Sequence, residues 1–476
     1  MFKYLRRFGI VVVLALTGCA ASPVDTARPE RNSPGRDIAV YRPRMEGSGT
    51  VPEYPRIEEP TGVVTLRHAL SLALTNNPEL AAFAWEVRAS EARTLQAGLL
   101  ANPAVKVEAN ELGSPGGGSS IEPGGTTLVL SQLVELGGKR AKRKVMTRLE
   151  GTLATWEYEN RRLEVFAETT KAFVDVLATQ KRVVLTERTF RVVERTLVLV
   201  GGRVKSRKAP ALEKRKAQVA FSTRRIALER ARRELRASRR LLAAKWGSTA
   251  PAFTRVEGEF ESIREIPALD QVLALASRSP DMARWRTEIE LSQAAVELEK
   301  AGRVPDVTVS AGVQQSSETD DQTFIVGLSV PLPFFNRNQG GVAEARHKRS
   351  KAIEKGRATD VRVRTALSHV HETLSSSYSE AVALKDEVLP AAQQAFDDAR
   401  RACRQGKLEY LGVLDAQRTL LEARAQQIDA LASYHKAVAD AERLIGQRLG
   451  TASPQDNGAE RENYTDGQDD RADPQS

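Results

Sequence analysis

The chain has 476 residues, of which 71 are Lys or Arg and 61 are Asp or Glu, giving a formal charge of +10, and only two are cysteines. Two cysteines exclude a disulfide-stapled scaffold. The opposite charges interleave along helical stretches, which points to a solvated helical surface and away from a nucleic-acid stripe, so no nucleic-acid partner is expected.

The chain opens as a lipoprotein signal over residues 1–18. Lys3, Arg6 and Arg7 form a basic region, Ile10 to Leu16 a short apolar run, and Leu16-Thr17-Gly18-Cys19 a lipobox. The apolar run is well short of the roughly 20 residues that span a bilayer, so it is a processing segment, and Cys19 is the expected lipid attachment site. Ala20 follows in place of the Asp associated with inner-membrane retention, so outer-membrane delivery is expected. Residues 19–60, rich in Pro, Arg and Glu and without periodicity, read as an extended, lipid-anchored linker.

From about residue 61 the chain contains itself twice. Leu72-Ala73-Leu74 with Asn76-Asn77-Pro78 recurs as Leu275-Ala276 with Ser279-Pro280, and Pro103 recurs as Pro305 at the same separation. Ala217-Gln218 and Gly247 match Ala416-Gln417 and Gly446. A repeat of about 200 residues is far longer than a solenoid unit. Two multi-element repeats are expected, over residues 61–262 and 263–450.

Each repeat begins with helical text, His68 to Asn77 and Pro78 to about Leu100, then Leu269 to Arg278 and Pro280 to Arg303. The period then switches to two. Val105, Val107 and Ala109 alternate with polar residues, a Gly/Ser/Pro-rich stretch follows, and Thr126 to Val134 reads as a second strand. Val307 to Val313 and Phe324 to Val330 repeat the hairpin. Strands of about nine residues have the length a tilted strand needs to cross a bilayer. Four strands cannot close a membrane barrel, for which eight is about the smallest number. If these strands lie in lipid, copies of the chain must complete the wall, and a trimer gives twelve strands. The alternative is a small soluble sheet packed on the helices.

Long helical text follows each hairpin. Arg140 to about Lys205 contains no proline and would extend roughly 100 Å. It breaks at Ser206 to Pro210 and returns from Ala211 to Trp246. The second copy runs from Gly341 to Cys403, breaks at Gln405-Gly406-Lys407 and returns from Leu408 to Leu449. Pro390 inside one arm marks a kink or a junction between stacked helices. Residues 451–476 read as a disordered acidic tail.

Three segments carry a family resemblance. They are Ser131-Gln132-Leu133-Val134-Glu135-Leu136-Gly137-Gly138-Lys139-Arg140, Val330-Pro331-Leu332-Pro333-Phe334-Phe335-Asn336-Arg337-Asn338-Gln339-Gly340, and Gly406-Lys407-Leu408 with Leu411 and Val413-Leu414-Asp415-Ala416-Gln417-Arg418. With them, residues 60–450 resemble the TolC-type outer-membrane efflux proteins, in their CzcC-like, heavy-metal branch. The resemblance implies a mostly α fold with transmembrane β-strands. Its two tandem repeats, each a β-hairpin plus a long α-helical hairpin, would form a trimeric 12-stranded outer-membrane barrel continuous with a periplasmic α-helical tunnel. It implies three partners besides outer-membrane lipid: two sister copies in a homotrimer, a periplasmic adaptor protein and an inner-membrane pump of the resistance-nodulation-division class.

The physics of the matching residues fits these roles. Gly137 and Gly138, and Gly340 and Gly341, permit the backbone turn at each strand–helix junction. Pro331 and Pro333 end ladder pairing. Gly406 suits a helix-hairpin tip, where Gly406, Lys407, Leu408, Leu411 and Leu414 would contact the adaptor. Asp415, about two turns beyond, would line a tunnel gate as an acidic ring in a trimer, or else face solvent or the adaptor. The first tip, Arg207-Lys208-Ala209-Pro210, lacks the glycine.

No catalytic constellation, cofactor motif or metal site is present in the sequence. His369 and His371 lie two apart on helical text and point roughly 200° apart. The expected function is a passive, non-enzymatic exit duct in a tripartite system, with heavy-metal cations as cargo. The alternatives are the same duct carrying drugs or secreted protein, or a structural periplasmic lipoprotein without a pore.

Overall fold

The computed structural model describes residues 34, 37–41, 58–109, 125–207, 210–316, 321–405, 407, 408 and 410–449. The signal, Cys19, Gly406 and the tail lie outside them. In chain order the elements are β1 (Gly62–Thr65), α1 (Leu66–Asn76), α2 (Pro78–Ala97), β2 (Ala104–Ala109), β3 (Gly125–Val134), α3 (Lys139–Lys205), α4 (Ala211–Ala244) and β4 (Phe253–Glu257). The second half holds α5 (Leu269–Leu275), a 3₁₀ turn (Ala276–Arg278), α6 (Pro280–Ala301), β5 (Val307–Ser316), β6 (Gln322–Ser329), α7 (Gln339–Ala383), a π-helical turn (Leu384–Val388), α8 (Leu389–Arg404) and α9 (Tyr410–Ile445). None of these helices is both long and apolar enough to cross a membrane.

The chain divides into two compact units. The first, residues 86–155 and 287–353, contains a four-stranded antiparallel sheet in the order β2-β3-β5-β6. The two hairpins are therefore joined directly through β3 and β5, along a register from Gly125↔Ser316 to Val134↔Val307. Rows across the sheet run Val107–Leu128–Val313–Phe324 and Val105–Leu130–Ala311–Val326. Both rows are apolar from edge to edge, and Phe324 and Val326 are 73% and 82% exposed. The opposite face carries rows such as Glu108–Thr127–Gln314–Thr323 and Ala104–Ser131–Ser310–Gly327. Strict alternation thus separates an oily face from a largely polar one. Among the described residues, β2 and β6 pair on one side only.

The second unit, residues 30–85, 156–286 and 354–476, holds the main core. Phe173, Leu242, Trp246, Phe253, Val256 and Phe260 pack with Val64, Leu384, Ile428 and Leu431. Each such buried side chain contributes about 1.5–3 kcal/mol. At its margin β1 and β4 form a two-stranded parallel sheet, which the sequence pattern does not reveal.

Matching local features recur in the two halves of the chain. Pro78 and Pro280 open α2 and α6, and the residue before each acts as the N-cap. Asn77 Oδ1 accepts from the backbone N–H groups of Glu79 and Leu80, both at 3.0 Å, and Ser279 Oγ accepts from Met282 N at 3.3 Å. Gly247 and Gly446, which follow α4 and α9, have φ of 82° and 73°. A side chain at Gly446 would meet the rigid ring of Pro280 at 2.7 Å. In the first copy the contact is polar, with Asn77 Nδ2 donating to Lys245 O at 2.9 Å. Asn77→Ala removes a buried cap and this cross-link together, so a loss of about 2 kcal/mol is expected. Asn77→Asp keeps the cap and should lose less. Chemical denaturation of the two variants measures the difference.

Residues 34 and 37–41 lie against this unit and depart from a bare tether. Arg162 Nη1 donates to Pro34 O at 2.6 Å, Tyr41 N donates to Leu74 O at 3.1 Å, and Ile38 and Val40 pack on the cluster of Leu70, Leu74 and Phe166. The expected helix break at Pro390 is a π-turn. Leu389 N–H reaches back to Leu384 O, five residues away, and Pro390 sits in the first turn of α8. The wider turn accommodates a ring that an α-helical interior would reject.

Candidate functional site: strand–helix junctions and helix-hairpin tips

At the first junction Gly137 and Gly138 have φ of 68° and 70°, a region that side chains disfavour. Gly137 is also crowded, since a Cβ there would lie 3.0 Å from Val304. Around it, charged groups tie the chain entering α3 to the loop before β5. Asp306 Oδ1 accepts from Leu136 N at 3.0 Å and from Lys139 Nζ at 2.7 Å. Glu135 binds Arg143 through two hydrogen bonds of 2.9 and 3.0 Å, and Arg143 Nε donates to Ala97 O. Burial is the largest influence on Asp306 and opposes its charge. The hydrogen bonds from Lys139 and Leu136, with the charges of Lys139 and Arg143, outweigh it and hold the carboxyl below its ordinary range. For Glu135, the hydrogen bond from Arg143 is the chief cause of a lowered pKa.

The second junction is built differently from the expectation. Gly340 and Gly341 lie inside α7, and the positive φ, 55°, belongs to Asn338. Asparagine tolerates this region because its short side chain can hydrogen-bond locally. Asn338 Nδ2 donates to Glu299 O at 2.9 Å and to Glu299 Oε2 at 2.6 Å. Gly341 lies against the side-chain ends of Asn338 and Glu299, which a Cβ there would have to displace. Gly340 has open space. Pro331 and Pro333 follow the end of β6 at Ser329.

At the second tip, Lys407 N donates to Ala402 O at 2.9 Å. This bond reaches back five residues and caps a carbonyl of the last turn of α8. The exposed Leu408 folds over Gly412, where a Cβ would meet it at 3.0 Å. Leu411 begins the second position of α9, and Leu414 is half-buried. Asp415 is exposed, and its charge adds to that of Glu422 in raising the pKa of Arg418. At the first tip, Arg207 itself takes φ 57°, so a non-glycine residue adopts the strained conformation.

Sequence reasoning missed Asp306 and Asn338. Asp306 was within reach, because the matching position of the first repeat is Ala104, so the carboxylate is present in one copy only. Among the described residues, no three His, Cys, Asp or Glu side chains gather as a metal site. His371 and His435 instead bond the carbonyls of Pro267 and Phe260 through Nε2.

The profile of the family described as "Outer membrane efflux protein" matches residues 69–248 and 272–447. The chain belongs to the outer membrane efflux protein family. It is 31% identical to the cobalt-zinc-cadmium resistance protein CzcC of Cupriavidus metallidurans, over 84% of this chain and 94% of that one. It is 27% identical to the nickel-cobalt-cadmium resistance protein NccC of Alcaligenes xylosoxydans xylosoxydans, over 76% and 78% of the two chains. Its fold is similar to that of the crystal structure of the outer membrane protein VceC of Vibrio cholerae, with a TM-score of 0.67 over 81% of this chain and 96% of that one, at 17% identity. The efflux family member thus has the fold of outer-membrane channels and belongs in the outer membrane.

Proposed function

We propose that the protein is the outer-membrane exit duct of a tripartite efflux system, passively conducting heavy-metal cations from periplasm to exterior. The observation that carries this reading is the sheet of the first unit, with one oily face, one largely polar face and edges that, among the described residues, are unpaired. In lipid an open edge leaves backbone groups without partners at several kcal/mol each. Because neighbours in the order β2-β3-β5-β6 are all antiparallel, β6 of one copy can pair in the same sense with β2 of the next. Three copies close a 12-stranded barrel, with the long helices continuing as a periplasmic tunnel that meets an adaptor and a resistance-nodulation-division pump. Energy comes from the pump, so the duct needs no catalytic group.

Cargo rests on the relatives named for cobalt, zinc, cadmium and nickel resistance. An exposed Asp415, present three times, suits weak and transient attraction of cations. A deletion strain should lose several-fold tolerance to cobalt, zinc, cadmium or nickel and keep its antibiotic tolerance. Complementation with Asp415→Asn should restore the trimer and only part of the metal tolerance. Lost drug tolerance with metal tolerance intact rejects the metal cargo. A purified, lipid-free chain that is a soluble monomer rejects the duct itself.

A further inference from the structure

Past the end of β6 the apolar alternation continues. Phe324, Val326 and Leu328 are followed by Val330, Leu332 and Phe334, and then Phe335. Leu332 and Phe334 are 68% and 67% exposed and Phe335 is 93% exposed. Leaving such side chains in water is unfavourable, and contiguous exposure of this kind marks a surface that something covers. Phe334 and Phe335 line a hollow of about 740 Å³ with Arg303, Arg337, Pro333 and Gln339. Arg337 Nε donates to Pro333 O at 3.3 Å and its backbone N–H to Gln339 Oε1 at 2.9 Å. Among the described residues, neither Arg303 nor Arg337 has a carboxylate within ion-pair distance.

We propose that this hollow is a phospholipid site. Arg303 and Arg337 take the headgroup phosphate, and Phe334, Phe335 and Leu332 lie along the acyl chains. The inference rests on the barrel reading above and adds to it a defined ligand. Planar guanidinium groups match a phosphodiester with paired N–H donors, and aromatic residues gather where a barrel wall meets the headgroups. Continuity with the oily sheet face favours lipid over a second copy of the chain. Two guanidinium groups without a carboxylate partner among the described residues favour an anionic headgroup.

The test uses the full-length protein in nanodiscs of phosphatidylglycerol, followed by native mass spectrometry of the released trimer. Wild type is expected to retain one phospholipid per protomer. Arg303→Gln with Arg337→Gln, and separately Phe334→Ser with Phe335→Ser, should each lose that lipid while the trimer mass stays unchanged. Equal lipid retention in all three proteins overturns the proposal. So does displacement of the ligand by inorganic phosphate alone with no effect of the phenylalanine pair, which would make this a free-phosphate site. Efficient cross-linking of Phe335→Cys between protomers would assign the surface to a second copy and also overturn it. Failure of the barrel reading is distinct, because wild type itself would then not enter nanodiscs as a trimer.

Discussion

Gly312→Ala is expected to destroy the proposed heat-modifiable trimer almost as completely as Gly312→Val. Gly312 lies in β5 opposite Val129 on one side and Ile325 on the other, at the centre of the seam that joins the two hairpins. A Cβ at this position would lie 2.5 Å from Leu128 O and 3.1 Å from Val129 Cα. Both are backbone atoms, so no rotamer change relieves the contact, and β3 must move away from β5. Overpacking a well-filled site costs typically about 1–3 kcal/mol. Here the cost should exceed about 3 kcal/mol, because ladder hydrogen bonds worth about 0.5–1.5 kcal/mol each are lost as well. The collision is with the first carbon of any side chain, so alanine is nearly as damaging as valine. Gly340→Ala is the control. It is helical with open space around it, so it should be neutral or stabilising by up to about 1 kcal/mol. Gel mobility of unheated membranes and metal tolerance of the complemented strain read both outcomes. A Gly312→Ala protein with normal trimer and tolerance would show that the seam is not as drawn.

Asp306→Ala should be the most damaging single change at the first junction, at about 2–3 kcal/mol, since it removes a charged acceptor from two donors. Leu136 N would be left without its partner, and Lys139, whose side chain is 15% exposed, without its counter-ion. Asp306→Asn keeps an acceptor for Leu136 N and should cost less. The two variants also differ from wild type in pH dependence. The folded-state pKa of Asp306 is lowered, so its contribution is fully present above the unfolded carboxyl pKa, about 3.9. Below that, the unfolded chain takes up the proton first, and the contribution fades as pH falls through the lower folded value. Glu135 shifts in the same direction. Thermal melts from neutral pH to pH about 3 should therefore show acid destabilisation in wild type and a shallower slope in Asp306→Asn. Parallel slopes would remove Asp306 from the clamp.

Much of this architecture was legible because its signals are periodic. The switch from a 3.6- to a two-residue period locates the hairpins, and the proline-free run after Arg140 locates α3 to within a residue of its observed start at Lys139. What escaped has no period. β1 and β4 have four and five residues, too few to show alternation, and their partnership spans most of a repeat. Asn338 and Arg207 take positive φ at places where glycine was the expected signal. The ion pair of Asp306 with Lys139 joins residues 167 positions apart, which no local spacing relates. Gly137 and Gly138 stood out as adjacent glycines, but the crowding by Val304 that makes Gly137 necessary could be seen only in three dimensions.

The five-residue reach from Leu389 to Leu384 has a consequence for kinship between the halves. The corresponding arm of the first repeat, α3, runs without interruption for 67 residues. A π-turn absorbs an additional residue without starting a new turn, so every position below it is rotated by about 100° relative to an unbroken arm. The sister arms therefore cannot be superimposed along their whole length.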